Sequence, residues 1–125
     1  MKFLHSMIRV KNIEKSTVFY KDLIGLKPSR TVRLDDCVLY YFLDEKTGTE
    51  IELTYNDETP ENGYVLGSAF GHFAFEVEDM GIIAKKVEEM GYEWLYAPFY
   101  MEEVNKTIAF IKDPDGNEIE FITKN

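Results

Sequence analysis

Apolar and polar residues alternate with period two in several short stretches of this chain, and in two others the apolar spacing becomes helical. The first strand pattern covers residues 5–10, from His5 through Met7, Ile8 and Arg9 to Val10, and a second covers residues 72–77, from His72 through Phe73 and Phe75 to Val77. Seven residues after each histidine stands a helix N-cap candidate, Asn12 or Asp79. Helical apolar spacing follows, with Val18, Phe19, Leu23 and Ile24 in the first case and Ile82, Ile83, Val87 and Met90 in the second. Each run stops at a glycine, Gly25 or Gly91, where a left-handed residue closes a helix without a Cβ clash. Strand patterns then return at 30–34, 37–44 and 50–55 in one half and at 93–96, 107–112 and 118–123 in the other. The turn signals between them are Asp44-Glu45-Lys46-Thr47-Gly48 and Asp113-Pro114-Asp115-Gly116.

The halves therefore repeat one another. His5 and His72 are 67 residues apart, and the last strands carry Ile51-Glu52-Leu53 and Ile119-Glu120-Phe121, with a glutamate 47 residues after His5 and 48 after His72. The expected architecture is one α+β domain over residues 1–125: two tandem βαβββ modules, 1–56 and 68–125, joined by the linker 57–67. Two such half-sheets side by side would curve around a cleft as mixed sheets.

Alternation puts His5, Met7 and Arg9 on one face of the first strand, and Glu52, Thr54 and Asn56 on one face of the fourth. His72 lies opposite the apolar Phe73, Phe75 and Val77, and Glu118 shares a face with Glu120. The apolar faces take the helices, which leaves one imidazole and one carboxylate per module for the cleft. Taken singly, a strand histidine is more often hydrogen-bonded core and a strand glutamate a solvated charge. These are the only two histidines in the chain, however, and each has an equivalently spaced glutamate. Without a metal, two ionised glutamates in a cleft would be costly. His5, Glu52, His72 and Glu120 thus suit one divalent first-row ion, whose charge the two carboxylates offset.

Composition narrows the partners. With 45% hydrophobic residues, nine Phe and eight Tyr, the chain is too apolar for disorder. A net charge of −9 repels phosphate backbones, so no nucleic acid partner is expected. The absence of a signal-peptide pattern or a long apolar run predicts a soluble cytoplasmic protein without membrane attachment. The lone Cys37, in an apolar run, is expected to be a buried thiol. Tyr40, Tyr41, Phe42, Trp94, Tyr96, Phe99 and Tyr100 are expected in the sheet core, the alternative being the lining of a pocket.

The stretches Leu4-His5-Ser6-Met7-Ile8-Arg9-Val10, Leu23-Ile24-Gly25-Leu26-Lys27, Ile51-Glu52-Leu53-Thr54-Tyr55-Asn56, Phe70-Gly71-His72 and Asp113-Pro114-Asp115-Gly116 resemble the glyoxalase I (lactoylglutathione lyase) family of the vicinal oxygen chelate superfamily, in its short bacterial form. The resemblance spans the chain. It implies that His5, Glu52, His72 and Glu120 are the metal ligands, that Arg9 and Asn56 contact the γ-glutamyl end of a glutathione adduct, and that the protein is a homodimer. It implies nickel as the ion, with cobalt, zinc and manganese as alternatives. The implied reaction converts the hemithioacetal of methylglyoxal and a thiol to the S-lactoyl thioester through an enediolate. Glu120 is then the expected base, with Glu52 a ligand or a base toward the opposite face of the substrate.

Two positions depart from longer family members, which have an arginine where this chain has Ser68 and an aromatic where it has Glu118. Lys106 and Arg30 are the candidate replacement cations. The competing readings are another metalloenzyme of the superfamily, such as an epimerase or thiol transferase, and a drug- or metabolite-binding module without chemistry.

Overall fold

The strand that opens with His5 pairs in parallel with the strand that carries Glu52, and this pairing closes the first of two similar units. The computed structural model describes residues 1–124, and its contacts divide the chain into two compact units, Met1–Val65 and a second beginning at Leu66. The first contains β1 (His5–Arg9), α1 (Ile13–Thr17), a π-helical turn (Val18–Leu23), β2 (Lys27–Arg33), β3 (Cys37–Leu43) and β4 (Glu50–Asn56). The second contains β5 (His72–Val77), α2 (Met80–Glu89), β6 (Trp94–Met101), β7 (Lys106–Lys112) and β8 (Glu118–Thr123). Each unit builds a four-stranded mixed sheet, ordered β1-β4-β3-β2 in one and β5-β8-β7-β6 in the other. The expected α+β class and the repeated βαβββ order are both observed.

The sheets are mixed because of chain direction. Short turns give the antiparallel pairs β2–β3, β3–β4, β6–β7 and β7–β8, whereas β1–β4 and β5–β8 are parallel. The parallel pairs need a crossover, and the helical segment after β1 or β5 begins it. Asn12 caps α1 by accepting from the Lys15 amide at 3.0 Å. Asp79 caps α2 by accepting from the amides of Gly81 and Ile82. Gly25 and Gly91 follow the helical segments at φ +88° and +79°, the left-handed conformation anticipated for both.

In each sheet the helix-side face is apolar. Val10, Phe19, Tyr20, Leu23 and Leu53 are fully buried in the first unit, and Val87, Ile111, Ile119 and Phe121 in the second. Some expected core residues lie outside it. Val18 and Ile82 are exposed, and the buried positions of α2 are Met80 and Val87. The first helix is not one continuous α-helix; it widens at Val18, and the Ile24 amide bonds to the Phe19 carbonyl, five residues back.

The strand at 93–96 extends to Met101. Pro98 removes a ladder donor, but β6 is an edge strand with two register shifts, where a missing donor is tolerated. The same position corrects the aromatic expectation: Tyr41 and Phe42 are buried in β3, Tyr40 and Trp94 are half-buried, and Tyr96, Phe99 and Tyr100 are exposed on that edge. Among the described residues no helix is long and apolar enough to cross a membrane.

Candidate metal centre

The register of β1 against β4 sets Met7 beside Glu52 and His5 beside Glu50, so His5, Met7, Arg9, Glu50, Glu52, Thr54 and Asn56 line one face, opposite the apolar face. Across that face His5 Nε2 lies 3.5 Å from Glu52 Oε1. Glu52 is only 7% exposed and is supported on both sides. The Thr54 hydroxyl donates to its Oε2 at 3.0 Å, and the Tyr41 hydroxyl hydrogen-bonds to it from β3. That bond to a carboxylate, reinforced by burial, holds the Tyr41 hydroxyl above its ordinary phenol range. The His5 ring meets Tyr41 edge-on at 5.7 Å.

The second unit repeats this with its own residues. His72 Nε2 lies 2.9 Å from Glu120 Oε2, and the His72 ring meets Phe110 edge-on at 5.4 Å. Phe110 lies opposite Glu120 as Tyr41 lies opposite Glu52. Donors bound about 2.1 Å from one ion and at right angles lie about 3 Å apart. Separations of 3.5 and 2.9 Å are of that size, and both pairs present Nε2 with a carboxylate oxygen, so each fits two adjacent positions on a divalent ion. Within neither unit do three or more His, Cys, Asp or Glu side chains converge among the described residues, so each unit by itself supplies two donors.

The other anticipated residues are placed as follows. Arg9 and Asn56 line a cavity of 560 Å³ together with Asp35, Asp36, Asp57 and Glu58. The Asn56 amide donates to the Tyr64 hydroxyl at 2.8 Å. Asp57 is taken by Arg33 through a two-pronged contact whose Nη1–Oδ1 distance is 2.7 Å, and this guanidinium holds its carboxyl below the usual range. Lys106 gives its ammonium to the Lys124 carbonyl, four β7 positions from Phe110. Arg30 stacks 3.8 Å from the Tyr41 ring centroid and pairs with Glu50 at 3.2 Å. Cys37 is buried, and burial pushes its thiol up.

The sequence reading missed three groups. Tyr41 and Thr54 support Glu52 through hydroxyls whose aim depends on strand register. Glu50 stands in the first unit where Glu118 stands in the second, two residues before the ligand candidate. Ser29 at 2.6 Å, then Arg30, hold the Glu50 carboxyl below its ordinary range, whereas Glu118 has no hydrogen-bond or ion-pair partner among the described residues. The Ile-Glu triplets on either side of the repeat were a signal for Glu50 as much as for Glu118.

Fold and site together define a duplicated βαβββ protein with an imidazole–carboxylate pair on the polar sheet face of each unit. Residues 2–121 match the Glyoxalase/Bleomycin resistance protein/Dioxygenase superfamily, and the chain belongs to it. It is 38% identical to the lactoylglutathione lyase of Neisseria meningitidis serogroup A, over 99% of this chain and 91% of that protein. Among solved structures it is similar to glyoxalase I from Zea mays, with TM-score 0.85 and 28% identity over 97% of this chain. The chain spans 44% of that maize chain. The trypanothione-dependent glyoxalase I of Leishmania major is similar over 99% of this chain and 87% of its own length, with TM-score 0.79 and 30% identity.

Proposed function

We propose that this protein is a lactoylglutathione lyase, a carbon–sulfur lyase that isomerises the hemithioacetal of methylglyoxal and a thiol to the S-lactoyl thioester and so removes methylglyoxal. The observation that carries this reading is the repeated imidazole–carboxylate pair, His5 with Glu52 and His72 with Glu120. Near full-length similarity to a lactoylglutathione lyase supports it.

In this reading one pair of each kind, drawn from one chain or from two chains of a homodimer, holds a divalent ion through His5, Glu52, His72 and Glu120. Nickel is the proposed ion, with cobalt, zinc or manganese as substitutes, and the proposed compartment is the cytoplasm. When bound, the ion supplies Lewis acidity that lowers the cost of negative charge on the substrate oxygens. The remaining work belongs to the side chains. Glu120 takes the proton from C1 and returns it to C2, so the substrate is isomerised with no external oxidant or reductant. Glu52, buried and supported by two hydroxyls, stays in place as a ligand. Arg9, which has no ion-pair partner among the described residues, is the guanidinium that receives a carboxylate of the thiol, and the Asn56 amide is beside it in the same cavity. Of the two other candidate cations, Arg30 is paired with Glu50 in the first unit and Lys106 of the second unit donates to the Lys124 carbonyl, so the carboxylate is assigned to Arg9.

The decisive experiment reconstitutes metal-free protein separately with nickel, cobalt and zinc and supplies methylglyoxal with glutathione or with other small thiols. Thioester is expected, fastest with nickel and glutathione. Binding of a thiol adduct with no thioester under any combination would refute the lyase and favour a binding module.

A further inference from the structure

The two carboxylates occupy equivalent positions but have different neighbours. Glu52 faces Tyr41 across the β3–β4 ladder and precedes Thr54 by two residues on the same face. Both of these side chains are buried, at 6% and 5% exposure, and both place a hydroxyl on the Glu52 carboxylate. In the second unit the position of Tyr41 is filled by Phe110 and that of Thr54 by Ile122. Neither can donate a hydrogen bond. Glu120 therefore has a single polar contact among the described residues, His72.

Repetition of the module makes this an internal comparison, because backbone position, ladder register and histidine partner are shared. What differs is the donor set: two hydroxyls around one carboxylate and none around the other. A buried carboxylate held by two hydroxyls and an imidazole is fixed in one rotamer, and leaving those hydroxyls without an acceptor would be unfavourable. A carboxylate flanked by a phenyl ring and a sec-butyl group has no such restraint. A base that collects a proton at one carbon and delivers it to the next must shift by about one bond length, about 1.5 Å.

We infer that Tyr41 and Thr54 are positioning residues that lock Glu52 as a stationary ligand, and that Phe110 and Ile122 leave Glu120 mobile enough to carry the proton. Four neighbours, and not the glutamates themselves, divide the labour between two equivalent carboxylates. The inference rests on the proposed lyase reaction, but its first half concerns metal holding alone and is testable without turnover.

The test compares wild type with the unlocked variant Tyr41→Phe/Thr54→Val and with the reciprocal variant Phe110→Tyr/Ile122→Thr, each loaded with cobalt. Release of cobalt to a chelator and the cobalt absorption spectrum report on Glu52 directly. Unlocking is expected to speed release by about tenfold and to alter the spectrum, the usual size of effect when a group that orients a ligand is lost. In a Glu120→Gln background, unlocking is expected to raise the residual rate by about tenfold, because a freed Glu52 can take over the proton transfer that an amide at position 120 cannot perform. The reciprocal variant is expected to lower kcat by about tenfold with KM unchanged. Unchanged release and spectrum in the unlocked variant, with the far-ultraviolet circular dichroism of wild type, would overturn the inference. Should the double variant fail to fold, Thr54→Ser and Thr54→Val decide: wild-type release in the serine variant and rapid release in the valine variant support the lock, and equal release in both refutes it. A wild-type protein that makes no thioester defeats the lyase reading, while the release measurements still decide the lock.

Discussion

At the scale of single residues, what matters is how a side chain is held as much as which side chain it is. His72 is 40% exposed and touches Glu120 and the edge of Phe110, so its ring is used at the surface of its sheet and contributes little to the core. Substituting it is therefore a test of ligation and not of folding. His72→Ala is expected to lose stoichiometric metal, measured by elemental analysis after gel filtration, while keeping a wild-type circular dichroism spectrum. Retention of one metal per site would show that the quartet is wrongly assigned. The glutamates and histidines were legible in the sequence because repetition marked them twice. Tyr41 and Thr54 were not, because a hydroxyl counts as a support only once the register shows which carboxylate it reaches. Lys106 was legible as a cation near the end of a strand, but its bond to the Lys124 carbonyl comes from the path of the chain after β8.

At the scale of elements, local chemistry accounts for most of the boundaries. The Asp79 cap satisfies two amides that no turn of α2 can reach, so Asp79→Ala is expected to lower stability by about 1 kcal/mol in denaturant unfolding, with little effect on metal binding. The turn Asp113-Pro114-Asp115-Gly116 was legible for a similar reason: the Asp113 carboxylate accepts from the amides of Asp115 and Asn117 and fixes the bend before β8. Arg33 and Asp57 tie the end of β2 to the end of β4. The Asp57 carboxyl is held below its ordinary 3.8, so its contribution is present above pH 3.8 and is lost as the pH falls through the lower folded value. Melting curves are expected to separate wild type from Asp57→Asn above that pH and to converge below it. A separation that persists in strong acid would mean the pair acts through packing. The edge strand β6 was the least legible element, since Pro98 and two register shifts break the alternation on which strand reading depends.

For the whole molecule, the duplication explains why a single sequence shows its fold so openly: each half is a second copy of the pattern. The copies have diverged where their sheets carry charge. Glu50 accepts a hydrogen bond from Ser29 and is paired with Arg30, whereas Glu118 has no such partners among the described residues and Tyr96 packs against Phe110 where Arg30 stacks on Tyr41. If the protein holds the proposed metal, removing the ion costs more than activity. A ligand that binds only the folded state raises stability by mass action. Chelation is accordingly expected to lower the Tm, and readdition of nickel to restore it; an unchanged Tm would show that the ion is not bound by the folded protein.

The parallel pairing of β1 with β4 and of β5 with β8 has a further consequence in time. These ladders join the first strand of each unit to the last, so the intervening chain must be looped back before they can form. Contacts of such long separation form late, after the local hairpins. Imidazole and carboxylate thus meet only when a unit is finished, and until the last strand of a unit has left the ribosome that unit offers the metals of the cell no paired donors.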